Sequence, residues 1–137
     1  MPQQLTNSFG KVFLTIHKDD LNKWIYVNWI GYLTEENVKA GAAAYTLALA
    51  NAGFNCVLND TRHVIGSWNH SLNWVLQQWS PNAAKAGLKH FAMITTPETF
   101  ADSTAATFYA HLKAFQAQVF DDVEIAKQWL WQYSLKR

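Results

Sequence analysis

The chain has one cysteine, three prolines and six glycines in 137 residues, and charged side chains make up only 15% of it. A single cysteine, Cys56, excludes a disulfide framework within the chain and fits a reducing compartment. Eleven basic and ten acidic residues leave a net charge of +1, which gives no electrostatic footprint for nucleic acid or an anionic membrane surface. Met1 to Asn7 lacks the basic and apolar regions of a signal peptide, so a cytoplasmic location is expected. Metal-ligand spacing is missing too. His17, His63, His70, His90 and His111 are scattered, with no i, i+4 pair and no Cys/His cluster. Neither a P-loop nor a Gly-x-Gly-x-x-Gly run occurs, and no metal or cofactor is expected.

What the chain does have is apolar mass: half of it is hydrophobic and 15% is aromatic, with seven tryptophans. That much apolar surface offsets the entropy of ordering, so residues 1–137 are expected to form one folded domain, with 1–10 as a loose start. Ala40 to Asn59 carries no charge and is long enough to suggest a membrane span. Asn51, Asn55 and Asn59 would be costly in hydrocarbon, and Asn51-Ala52-Gly53 reads as a helix stop. The segment therefore predicts a helix and then a buried strand.

Val12 to His17 and Lys23 to Gly31, rich in β-branched and aromatic residues, predict an antiparallel hairpin. Thr34 caps a helix whose stripe is Val38, Ala42, Tyr45 and Leu49, with Gly53 as its stop. Phe54 to Asn59 is a short central strand, and Trp68, Leu72, Val75, Leu76 and Trp79 mark the next helical face. Ser80-Pro81 restarts a turn that Gly87 ends, before a strand from Leu88 to Thr95. A helix beginning at Thr96-Pro97-Glu98 lines up Phe100, Thr104, Phe108, Leu112 and Phe115, and Gln116 to Phe120 is an edge strand. Asp121 and Glu124 form a capping box, and Phe120 staples to Ile125, for a last helix lined by Ile125, Ala126, Trp129, Leu130 and Tyr133. The order ββαβαβαβα predicts an α/β domain with a mixed, mostly parallel sheet and an N-terminal antiparallel hairpin.

Three stretches carry a family resemblance: Lys23 to Asn37 at the second strand and first helix, Cys56 to Arg62 at the central strand, and Val119 to Leu130 at the closing helix. Together with the element order they make the chain resemble the STAS family, in its SpoIIAA-like bacterial branch, which is grouped with CRAL-TRIO lipid-carrier relatives. The resemblance covers most of the chain from residue 11 on. It implies a single STAS-like domain acting as a non-enzymatic protein-interaction or regulatory module, or else as a carrier or sensor of a lipid or other apolar small molecule. STAS regulators carry an Asp-Ser-Ser/Thr-Gly phosphoacceptor motif. Here Ser67 lies near that place without the flanking Asp or the following Gly, which speaks against a phospho-switch.

Most acidic residues fall in first helical turns, where the dipole and free N–H groups favour them. Asp60 does not. Between Lys39 and Lys85 only Asp60 and Arg62 are charged, and both follow the central strand, where ligands of open α/β sheets bind. One reading makes them a local turn pair. The other makes Asp60, Arg62, His63 and Ser67 a ligand or partner site at a helix N-terminus. Asp60, His63 and Ser67 are also the residue types of a hydrolase triad, but no Gly-x-Ser-x-Gly elbow is present and no enzyme is expected.

Trp68, Trp79 and Trp129 fall on core faces, and Trp24 or Trp29 can cover the sheet, whereas Trp74 and Trp131 point away from their helices' stripes. The first helix likewise lacks a polar far side, offering Ala43, Ala44, Leu47 and Ala50. A homodimer is therefore expected, with Leu47 near its centre, Ala43 and Ala50 allowing close approach, and Trp74 and Trp131 extending the patch.

Overall fold

The computed structural model describes residues 2–135. It is an α/β domain built on one six-stranded sheet: β1 (Gln3–Thr6), β2 (Val12–Asp19), β3 (Trp24–Gly31), β4 (Cys56–Val64), β5 (His90–Ile94) and β6 (Gln116–Phe120), in spatial order of sequence. β1, β2 and β3 pair antiparallel, and β3 to β6 pair parallel. Crossovers between parallel strands turn right-handed, so a sheet laid down in chain order receives all of its crossover helices on one face. Those are α1 (Glu35–Ala52), an irregular helical segment spanning 69–85 that contains the short α2 (Leu72–Trp74) and α3 (Ser80–Lys85), and α4 (Phe100–His111). The final helix, α5 (Val123–Ser134), covers the other face.

Strand alternation sorts the side chains between the two faces. Ile25, Val27, Trp29, Val57, Phe91 and Met93 face the crossover helices and form the larger core. Trp24, Cys56, Leu58, Ala92 and Ile94 meet Ala126 and Leu130 of α5 in a smaller one. Burying Leu130 alone contributes about 1.5–3 kcal/mol. His90 stacks flat on Tyr133 of α5, ring centroids 3.6 Å apart, and its burial holds its pKa below the usual histidine value.

Thr34 caps α1 as expected, in a reciprocal box with Asn37, and Gly53 ends the helix in the left-handed conformation at φ 70°. Gly41 sets how closely α1 approaches the sheet. A Cβ there would lie 2.5 Å from Cη2 of Trp29 and 2.8 Å from Cδ2 of Leu14, so only glycine lets the helix lie over that indole. No helix among the described residues is long and apolar enough to cross a membrane.

Several boundaries differ from the sequence expectation. The start, expected to be loose, contains β1, which adds a third strand before α1 and packs Leu5 against the larger core. β4 runs on to Val64, because β3 continues beside it as far as Gly31 past an irregularity in register. The cap of α4 is Thr99, one turn later than expected, and Phe100, at the first helical position, is 75% exposed rather than part of the buried face. Asp122, not Asp121, caps α5, accepting from the backbone N–H groups of Glu124 and Ile125. That frame turns Ile125 outward, 53% exposed, so no staple forms and Phe120 packs on Trp129 instead. Asp122→Ala should cost about 1 kcal/mol in chemical denaturation. Asp121→Ala should stay within about 0.5 kcal/mol of wild type.

Candidate functional site

Between the sheet and its crossover helices the larger core leaves a pocket of about 50 Å³. Six aromatic rings run around it in a chain of edge and tilted contacts: Trp29 to Tyr45, Tyr45 to Trp79, Trp79 to Phe91, Phe91 to Phe108 and Phe108 to Trp68, at centroid distances of 5.4–6.2 Å. The rings come from distant parts of the chain: β3, α1, β5, α4, the residue just before the 69–85 segment (Trp68) and the end of its π-helical turn (Trp79). Trp79 is held in place by its Nε1, which donates to Thr46 at 2.9 Å.

The roof of the pocket is irregular. A 3₁₀ turn (Asn69–Ser71), a short α-helical turn (Leu72–Trp74), a π-helical turn (Val75–Trp79) and a final α-helical turn (Ser80–Lys85) follow one another. Widening to i→i+5 pairing inserts a residue into the helix, and Ser80 Oγ donates to the carbonyl of Val75 at 2.8 Å across the widened turn. Val75 and Trp79, the ends of the π-helical turn, both line the pocket.

Polar groups enter the wall at three places, two on β4 and one at the start of the roof. Asn59 and Thr61 are neighbours on the helix-covered face of β4. Trp29 Nε1 donates to Asn59 Oδ1 at 2.8 Å, which fixes the amide's orientation and leaves its Nδ2 as the group without a bond among the described residues. Thr61 Oγ1 donates to the Ile94 carbonyl at 2.8 Å. The indole N–H of Trp68, a residue only 7% exposed, is buried with no partner among the described residues. None of the lining residues carries a charge, and burial keeps Tyr45 neutral by raising its hydroxyl pKa well above the usual value.

The sequence-expected cluster is divided between the two faces. Asp60 is fully buried at the other face of β4. Its carboxylate accepts from Arg62 three times, from the backbone N–H and Nε at 3.0 Å and from Nη2 at 2.8 Å, and from the Tyr26 hydroxyl at 2.7 Å. Burial alone would raise the Asp60 pKa, but the Arg62 and Tyr26 hydrogen bonds outweigh it and lower it. Tyr26, half-buried and donating to that carboxylate, is pushed up to about 12. His63 Nδ1 pairs with Asn28 Oδ1 at 3.1 Å. Ser67 lies across the sheet, bonded to Thr104 of α4 at 2.8 Å and accepting from the Asn69 N–H. Asp60, Arg62 and His63 thus belong to the strand rather than to a loop after it, and no hydrogen bond joins Asp60, His63 and Ser67 to one another. Among the described residues no group of three or more His, Cys, Asp or Glu could hold a metal ion.

Asn59, Thr61 and Trp68 were missed as site residues. The signal available was an asparagine at a core-facing position of an apolar strand. Compared with known proteins, the chain matches no family model and no curated protein.

Arg62→Ala leaves a buried carboxylate with the Tyr26 hydroxyl and one backbone N–H, and should cost about 1–3 kcal/mol at neutral pH. The sign of its pH dependence follows from the lowered Asp60 pKa. That contribution is present above the unfolded-state pKa of aspartate and is lost as pH falls through the folded one. Without Arg62 the folded pKa rises, so the acid-unfolding midpoint of Arg62→Ala should lie at higher pH than wild type, read by circular dichroism.

Proposed function

We propose that this chain is a cytoplasmic, non-catalytic binding module that encloses a small apolar molecule, as carrier or sensor, in the pocket between its sheet and crossover helices. One observation carries the reading: a ring-lined, uncharged space inside the larger core, roofed by a π-helical turn. Cores are normally packed without voids of this size, and irregular helical turns concentrate at functional sites. The size decides between ligand classes. A water-sized position takes about 10–15 Å³ of such free space, so the pocket holds roughly three to five non-hydrogen atoms. That suits a small molecule and is far too little for an acyl chain. The non-catalytic part rests on Asp60, His63 and Ser67 each being engaged elsewhere.

Xenon tests the reading, since it enters apolar cavities without needing a hydrogen bond. Methyl resonances of Val38, Val75 and Met93 should shift saturably with xenon pressure, and Val75→Phe, which fills the space, should abolish the response. Methyls that stay still in the wild-type protein would overturn it.

A second reading, a STAS-like interaction module that self-associates, is favoured by the outer face of α1. Leu47 is 62% exposed there, in a row with exposed Ala43 and Ala50. Trp74 adjoins this face, with the Lys39 ammonium 5.8 Å from its ring. Trp131 does not extend the patch: it stacks on Trp24 at 6.1 Å and donates to Asn22, on the α5 side of the sheet. Light scattering should give twice the 15.6 kDa chain mass, and Leu47→Glu should return it to one. A wild-type monomer at high concentration would remove this reading.

A further inference from the structure

Resting on the small-molecule reading, we infer that the pocket's ligand is a neutral molecule of three to five non-hydrogen atoms bearing one acceptor oxygen, such as a short ketone, held by Asn59 Nδ2 and the Trp68 indole N–H. The wall is lopsided in its hydrogen bonding. Asn59 offers two amide N–H groups, because Trp29 occupies its oxygen. Trp68 offers a third N–H, buried and without a partner. Thr61 has already given its proton to the Ile94 carbonyl and can only accept. The Tyr45 hydroxyl, kept protonated by burial, can do either.

A hydrocarbon filling this space would leave those N–H groups unpaired, and a buried polar group without a partner is costly. An anion would satisfy them, but no cationic side chain lines the pocket to offset the desolvation of its charge. Water can pair with the same N–H groups and donate to Thr61 or Tyr45, but it offers the six rings no apolar surface, which a ketone does. A carbonyl oxygen accepts two hydrogen bonds and donates none, which complements two N–H groups, and its short alkyl arms pack against the six rings. The volume limits those arms to a few carbons.

The test compares 2-butanone, its hydrocarbon isostere 2-methyl-1-butene, and propionate, each of five non-hydrogen atoms, titrated into the wild-type protein and followed by side-chain N–H and methyl resonances. Butanone should move the Trp68 indole and Asn59 amide signals saturably and bind roughly fivefold or more tightly than the isostere, the factor a single neutral hydrogen bond supplies. Propionate should not bind. Trp68→Phe keeps a ring and removes one of the two N–H donors, so it should cut the preference for butanone over the isostere severalfold without abolishing it. Equal binding of ketone and isostere by the wild-type protein, or tighter binding of propionate, would overturn the acceptor assignment while leaving the apolar pocket reading in place. If none of the three binds and xenon also fails, both fall. The wild-type comparison decides even where Trp68→Phe does not fold.

Discussion

The handedness of the parallel crossover governs this molecule. A sheet whose strands follow chain order, joined by crossovers of one hand, must stack its crossover helices on a single face. The two faces therefore have unequal fates. One carries α1, the segment 69–85 and α4 over a continuous aromatic core; the other is covered by α5 over β4 to β6. On the second face β2 and β3 present Thr15, His17, Tyr26 and Asn28, none of them fully buried. The pocket lies on the crowded face because three separate helical elements must meet over one sheet, and Gly41 lets one of them settle directly on Trp29.

β4 links the two halves of the argument. Successive residues at its carboxyl end point to opposite faces, so Asn59 and Thr61 go to the pocket and Asp60 to the far side. The buried Asp60 carboxylate takes up the nearest cation, Arg62, and the Tyr26 hydroxyl from the neighbouring strand, and so pins the strand end from one side. Asn59 pins it from the other through Trp29. The two polar ties flank the same stretch of backbone, which holds the pocket's amide donor in a fixed position.

Much of the architecture was legible because it is written in periodicity. The stripes of α1 and α5, the apolar run of β4 and the hairpin all follow patterns that burial enforces. β1 was not legible, since Gln3–Thr6 has no alternation of its own and becomes a strand through pairing with β2. The α5 cap was ambiguous because Asp121 and Asp122 are chemically equivalent, and only the docking of Ala126 and Leu130 on the sheet fixes the helical frame. The charged pair at Asp60 and Arg62 was found by its isolation in sequence, but sequence could not say that Tyr26 from the neighbouring strand would join it on the buried carboxylate. The pocket itself has no sequence signature. It arises where rings from distant segments meet, and an aromatic at a core position looks the same whether or not a void lies beside it.

Because α5 docks through its own small core, its attachment is a separable event. Its contacts with Cys56, Leu58, Ala92 and Ile94 include none of the aromatic rings around the pocket. Transient release of this helix would bare the back of β4 and β5 to solvent while the opposite core stayed shut. Backbone amides of α5 would then exchange with water through a cheaper excursion than those of α1, and a protease or a competing surface would reach this helix before the larger core.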